Sequence, residues 1–76
     1  MSFNELKDCL SMGREIEFFF KDVRYSICNT PNGWILSEFY GDYQTYPSSS
    51  ELLQNATIDG FNLKQIWDQV DIDIIF

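Results

Sequence analysis

Residues 15–28 place an apolar side chain at almost every second position, and this alternation constrains the fold more than any other feature of the chain. A period of two is typical of strands that bury one face. Lys21-Asp22 and Asn29–Gly33 are suited to turns, the latter because Asn and Gly tolerate positive φ and Pro fixes its own. We therefore predict an antiparallel meander. Its predicted strands are Glu15–Phe20, Val23–Cys28 and Trp34–Tyr40.

Polar residues with the spacing of a capping box mark three helix starts. In such a box, the first side chain accepts a hydrogen bond from the backbone three residues on, and a Glu or Gln there reaches back. Each pair is accompanied by an apolar pattern that fits a helix, so we predict one helix before the meander and two short helices after it. The three pairs are Ser2 with Glu5, Ser48 with Glu51, and Asn62 with Gln65.

Residues 70–76 fit two structures. Apolar residues spaced by four would let the third helix continue. β-branched residues alternating with Asp71 and Asp73 favour a strand instead, because carboxylates oppose the dipole at a helix C-terminus. We predict a final strand, and hence a single small α+β domain over residues 1–76.

Gly41-Asp42 suggests a two-residue turn into a fourth strand, since a type II′ turn prefers Gly at its first central position. That turn would pair Tyr40 with Tyr43 and Ser37 with Tyr46. Directly opposed residues share a face and neighbours along a strand do not. Tyr40 and Tyr43 are therefore expected on one side of the sheet and Tyr46 on the other.

The meander has one face that we predict as the core: Ile16, Phe18, Phe20, Tyr25, Ile27, Trp34 and Leu36. The opposite face mixes Glu15, Glu17, Arg24 and Ser26 with Phe19, Cys28, Ile35, Phe39 and Tyr46. If no helix or C-terminal strand covers this face, it leaves an aromatic patch of the kind that binds partners. We accordingly expect a non-catalytic protein-binding module, or one that associates with itself, acting through Phe19, Ile35, Phe39 and Tyr46.

The net charge of −7 is concentrated after residue 25, where only Lys64 stands against seven acids. A chain that binds the phosphate backbone needs a basic face, so we expect no direct nucleic-acid binding. The alternative function is an acidic inhibitor, from a phage or mobile element, that imitates nucleic-acid charge. Its candidate residues are Glu51, Asp59, Asp68, Asp71 and Asp73.

The residue types that catalysis or metal binding would need are scarce. The chain has no histidine, and Cys9 and Cys28 lack the paired spacing of a zinc site. Asp71 with Asp73 is too small a set for an oxygen-ligand metal site, and no glycine-rich phosphate loop is present. We therefore expect no enzyme, metal or cofactor. Short apolar runs and a charged N-terminal segment lead us to expect a cytoplasmic protein without membrane insertion.

Gly33–Leu36 and the later stretch Ile58–Trp67 resemble short uncharacterised proteins of Gram-positive bacteria and their mobile elements. The resemblance touches about the last two thirds of the chain. It implies a cytoplasmic bacterial or phage setting, and it gives no information about activity or binding residues.

Overall fold

Three α-helices, seven strands and one 3-10 turn make up the computed structural model, which describes residues 1–76. In chain order they are α1 (Phe3–Ser11), β1 (Ile16–Phe20), β2 (Val23–Thr30), β3 (Gly33–Glu38), β4 (Tyr43–Tyr46), α2 (Ser49–Asn55), β5 (Thr57–Ile58), β6 (Phe61–Asn62), α3 (Leu63–Ile66), the 3-10 turn (Trp67–Gln69) and β7 (Asp71–Ile75). The predicted α+β class and order of the main elements are confirmed.

Five strands form one sheet in the order β4-β3-β2-β1-β7, and every neighbouring pair is antiparallel. The first four strands are the meander. β7 returns to lie beside β1, where Phe18 pairs with Ile72 and Ile16 pairs with Ile75. The predicted C-terminal strand is therefore confirmed, and Ile72 packs against the core from it.

The helices lie on one face of the large sheet only. Their apolar side chains join alternate side chains of β1, β2 and β3 in one hydrophobic core. Every residue predicted for the core face is buried: Ile16, Phe18, Phe20, Tyr25, Ile27, Trp34 and Leu36. The residues that cover them are Leu6, Leu10, Leu52, Ala56, Ile58, Leu63, Ile66 and Trp67.

Cap hydrogen bonds confirm all three predicted helix starts. Ser2 Oγ accepts from the Glu5 N–H at 3.1 Å, and Asn62 Oδ1 accepts from the Gln65 N–H at 3.0 Å. In both boxes the Glu or Gln side chain accepts in return from the cap residue's own N–H. Ser48 makes the first bond, at 3.1 Å, without the return bond. These bonds satisfy N–H groups that the first turn of a helix leaves unpaired.

The connection between β3 and β4 differs from the predicted two-residue turn. Ser37 pairs with Tyr43 and Trp34 with Tyr46, so the predicted pairing of Ser37 with Tyr46 is wrong by three residues. The backbone N–H of Glu38 donates to the carbonyl of Asp42 at 2.9 Å and closes a wider loop.

Because three is an odd number, every residue of β4 lies on the face opposite to the one predicted. Tyr46 packs against the core, whereas Tyr43 lies on the helix-free side. Tyr40 adopts φ +62 and so gives the loop a left-handed residue that a Gly41-Asp42 turn would not use. The observed register also lets the Gln44 amide bond both backbone groups of Thr57, at 2.7 and 3.1 Å.

A small second sheet of β5 and β6 is absent from the sequence prediction. Its turn residues, Asp59 and Gly60, have φ values of +55 and +82, as a type I′ turn requires. The two arms hold two residues each, which is too short for periodicity to reveal.

The turn between β1 and β2 offers a test of backbone strain. Lys21 and Asp22 have φ values of +51 and +64, although neither is glycine. We expect Asp22→Gly to raise the free energy of unfolding by about 0.5–1 kcal/mol, because Gly reaches this region without a Cβ clash. Urea unfolding would measure it. Asp22→Ala should lower stability at the same position, and equal effects of the two changes would contradict the explanation.

Gly33 allows a close approach between β3 and the end of β4. It has φ +131, and an added Cβ would lie inside contact distance of the backbone oxygen of Tyr46. We expect Gly33→Ala to destabilise the fold by about 3 kcal/mol, through strain and the clash together. Gly60→Ala is the matched control, since Gly60 has φ +82 but no atom within 4 Å of the added Cβ. Thermal unfolding should show a loss of only about 1 kcal/mol for that variant.

Candidate functional site

The helix-free side of the large sheet is the main surface that the fold leaves uncovered. We call it the outer face, and it consists of the side chains of Glu17, Phe19, Arg24, Ser26, Cys28, Ile35, Ser37, Phe39, Tyr43, Thr45, Asp71, Asp73 and Ile74. The C-terminal strand extends this face at the β1 edge rather than covering it. Of the two predicted possibilities, a covered or an uncovered face, the structure shows the uncovered one.

Arg24 is the one basic residue of the outer face and lies near the start of β2. Its Nη2 donates to Glu17 Oε1 on the neighbouring strand β1 and lies 2.6 Å from Asp73 Oδ2. The register between β1 and β7 shifts at this point, which leaves Asp73 as an extra residue in β7. Such a bulge re-aims side chains, and here the carboxylate reaches an arginine two strands away.

Two aromatic rings enclose the same guanidinium group. Its central carbon lies 5.3 Å from the centroid of the Phe19 ring and 5.0 Å from that of Phe39. Both distances are within the range of cation–π attraction. The hydrogen bond to Glu17 has the largest effect and raises the pKa of Arg24; burial opposes it, and the charge of Asp73 raises the pKa further. The guanidinium is thus held in one position by two carboxylates and two rings.

Small polar side chains occupy the middle of the outer face. Ser26 and Ser37 lie directly opposite each other, and their hydroxyl oxygens are 2.8 Å apart. Cys28 Sγ donates to Ser26 Oγ at 3.6 Å. These groups satisfy one another and place short side chains between Ile35 and the aromatic cluster around Arg24.

Three of the four residues predicted for partner binding share the outer face, and one does not. Phe19 and Ile35 are half-buried there, and Phe39 is 40% exposed. Tyr46 lies on the core side, where its hydroxyl donates to Gln44 Oε1 at 2.9 Å. Tyr43, which was predicted on the core side, lies on the outer face instead and is 70% exposed.

Arg24 is the functional candidate that sequence reasoning missed. The sequence predicts the position of Arg24 on the mixed face, but the alternation pattern does not distinguish it from the other polar residues there. A basic residue opposite an aromatic one in a strand pair is a usable signal, and Arg24 indeed pairs with Phe19. The contribution of Asp73 had no such signal, because it depends on a bulge.

The five acidic residues of the alternative function are spread over four separate elements. Glu51 is in the first turn of α2, Asp59 is in the β5–β6 turn and Asp68 is in the 3-10 turn. Asp71 and Asp73 share β7, but Asp73 is an ion-pair partner of Arg24.

Carboxylates do gather elsewhere, around a shallow cleft beside Tyr25. Glu38, Asp42 and Asp59 line it. Burial raises the pKa of Tyr25, which is 6% exposed, and the negative charges of Glu38 and Asp59 raise it further. Deprotonation of Tyr25, which would add a further negative charge to the cleft, is therefore disfavoured.

This arrangement predicts how stability changes at alkaline pH. The pKa of Tyr25 is higher in the folded state, so its contribution is present below the ordinary tyrosine pKa of about 10 and is lost as the pH rises through the folded value. We expect Tyr25→Phe to be close to wild type at neutral pH and to lose less stability in strong alkali. Urea unfolding at both pH values measures this, with Tyr43→Phe as the exposed control. An equal alkaline loss in wild type and Tyr25→Phe would refute the assignment.

No group of three or more His, Cys, Asp or Glu side chains is arranged to hold a metal ion. None of the three helices has the length and apolar character needed to cross a membrane. Comparison of the chain with protein-family models, curated proteins and solved structures finds no match. The resemblance to short Gram-positive proteins therefore stays a prediction, and the outer face has to be interpreted from its own chemistry.

Proposed function

We propose that this protein is a non-catalytic protein-binding module, and that the outer face of its sheet is the binding surface. The observation that carries the proposal is the uncovered cluster of Phe19, Arg24 and Phe39 on a helix-free sheet face, near the β1–β2 turn. Tyr43 adds a further exposed ring on the same face.

The composition of this cluster is that of an interface core. Aromatic residues and arginine are enriched where protein partners meet, and they supply most of the residues whose truncation weakens binding strongly. Lysine and glutamate are depleted there, and the one glutamate of the cluster, Glu17, is neutralised by Arg24. The Nη2 group of Arg24 is thus already paired with Glu17 and Asp73 before any partner arrives, whereas its Nε is buried without a hydrogen-bond partner.

Pre-organisation also favours binding by this face. An arginine that must be ordered on association loses side-chain entropy, on the order of 1 kcal/mol. Arg24 is already held by two carboxylates and two rings. A partner that offers apolar groups to the two rings therefore meets a surface that needs little rearrangement.

The size of the face indicates a weak or transient interaction. Five strands spaced by about 4.8 Å give a width of roughly 24 Å, and strands of about five residues give a length of roughly 17 Å. The resulting plane of roughly 400 Å² is smaller than the ~800 Å² that each partner buries in a standard interface. A second copy of the chain, meeting face to face, would satisfy the same description.

The acidic-inhibitor alternative receives less support from the structure. A phosphate mimic needs free carboxylates in a row, whereas Asp73 is engaged with Arg24 and the other candidates are spread over several elements. Its requirement for net negative charge is met by the chain as a whole. The outer face offers a more specific arrangement, so we prefer the protein-binding proposal.

The proposal predicts that two substitutions on the outer face remove binding without unfolding the protein. Phe39→Ser and Tyr43→Ser change side chains that are 40% and 70% exposed. The double variant should keep its circular dichroism spectrum. It should weaken association by at least tenfold, since each interface aromatic contributes about 1 kcal/mol or more. Sedimentation velocity over a wide concentration range measures self-association, and affinity capture followed by titration of the purified partner measures binding to another protein.

Phe61→Ser is the matched control, because Phe61 is 46% exposed but lies in β6, outside the large sheet. It should leave association unchanged. A protein that stays monomeric at all concentrations, and whose captured partners bind the double variant as tightly as wild type, would rule out the outer face as the binding surface.

A further inference from the structure

We propose a second binding site, for a small phosphate monoester with an apolar part, in a cleft between α1, α2 and α3. The cleft encloses about 380 Å³, which falls within the ~300–1,000 Å³ of small-molecule sites. It lies in the helical layer and shares no residue with the outer face. We call it the lysine cleft, after Lys7 and Lys64 in its wall.

Lys7 and Lys64 are the two basic side chains of this chain that have neither an ion pair nor another polar or aromatic contact. The chain carries twelve acidic and five basic side chains. Both of its ion pairs belong to Arg24. Arg14 donates to the carbonyl oxygen of Phe76, and Lys21 lies over the Phe20 ring at 5.3 Å. The two remaining cations are Lys7 and Lys64, and both line the same cleft.

No carboxylate lines the lysine cleft, although acids outnumber bases in the chain as a whole. Two ammonium groups in a wall without carboxylates make the cleft positively charged, and this charge attracts a dianion. A phosphate monoester carries a charge of about −1.5 to −2 at neutral pH. It therefore matches two lysines better than a singly charged carboxylate does.

Hydroxyl groups add the donors that phosphate oxygens accept from. Ser49 and Ser50 line the cleft, and neither side chain makes a hydrogen bond within the protein. The Ser48 hydroxyl, by contrast, is occupied in capping α2. Two free hydroxyls and two free ammonium groups can satisfy several phosphate oxygens at once.

Part of the remaining wall is apolar, and this indicates the chemistry of the rest of the ligand. Phe3 and Leu53 contribute apolar surface to the cleft, and both pack against the hydrophobic core. A ligand that is only a phosphate would leave this surface unused. An aromatic or short aliphatic group attached to the phosphate would cover it, so an organic phosphate should bind more tightly than the inorganic ion.

A nucleic-acid strand is a poor occupant of the same site. Two lysines neutralise at most about two phosphates, and the net charge of −7 repels a longer polyanion. The volume of the cleft likewise suits one small molecule. We therefore assign the site to a small phosphorylated molecule rather than to a polymer.

Phenyl phosphate is the probe that tests the assignment. Titration into the full chain, followed by amide NMR shifts, should show saturable binding centred on the residues of the lysine cleft. Lys7→Gln and Lys64→Gln should each weaken binding about tenfold, as expected for the loss of one charged hydrogen-bonding partner. Inorganic phosphate should bind more weakly than phenyl phosphate, and benzyl alcohol should bind more weakly still.

Lys21→Gln is the matched control, since it removes the same charge from a position outside the cleft. It should leave the affinity within about twofold of wild type, because an exposed charge outside the cleft is largely screened. Equal weakening by all three lysine variants would show a general charge effect and overturn the site. Shifts centred on the outer face, or the absence of saturation, would overturn it as well. None of these outcomes depends on whether the outer face binds a protein.

Discussion

The packing of Phe18 holds the two layers of this protein together. Its ring stacks on Tyr25 within the sheet, with centroids 5.6 Å apart, and meets the edge of Trp67 from the 3-10 turn at 5.0 Å. Phe18 is fully buried and Trp67 is 2% exposed. Because Trp67 stands only a few residues before β7, this contact also positions the last strand beside β1. The helical layer, the sheet and the sheet edge thus meet at one side chain.

A one-sided core has a direct consequence for the other side of the sheet. The helices cover the face that carries Phe18, and no element of residues 1–76 lies on the opposite face. Small domains bury a limited fraction of their surface, and here the deficit falls on a single sheet face. The aromatic rings there are stabilised by Arg24 instead of by a second apolar layer. That solution keeps the face ordered and still leaves it available to a partner.

Sequence patterns predicted the parts of this structure that depend on local chemistry. Alternation identified the whole core face of β1, β2 and β3, and it placed Phe19, Ile35 and Phe39 together on the other side. It failed for Tyr46, because the face of β4 depends on the length of a loop in which Tyr40 adopts a left-handed conformation. The side chain of Tyr40 is fully exposed, and the loop is closed by backbone hydrogen bonds from Glu38 to Asp42 and from Gly41 to Glu38. An alternating pattern of apolar residues carries no information about such a loop.

The two candidate sites differ in how far the sequence reveals them, and the difference has a physical origin. The outer face is made by neighbouring strands of a meander, so parity along the chain is enough to assemble most of it. The lysine cleft joins residues from three helices, and Lys7 and Lys64, which lie in α1 and α3, are far apart along the sequence. What distinguishes these lysines is that they share a cleft wall without any carboxylate, which only the folded chain can show. In a protein of net charge −7, a cleft wall with two cations and no carboxylate is more informative than a further acidic surface, because acidic side chains outnumber basic ones.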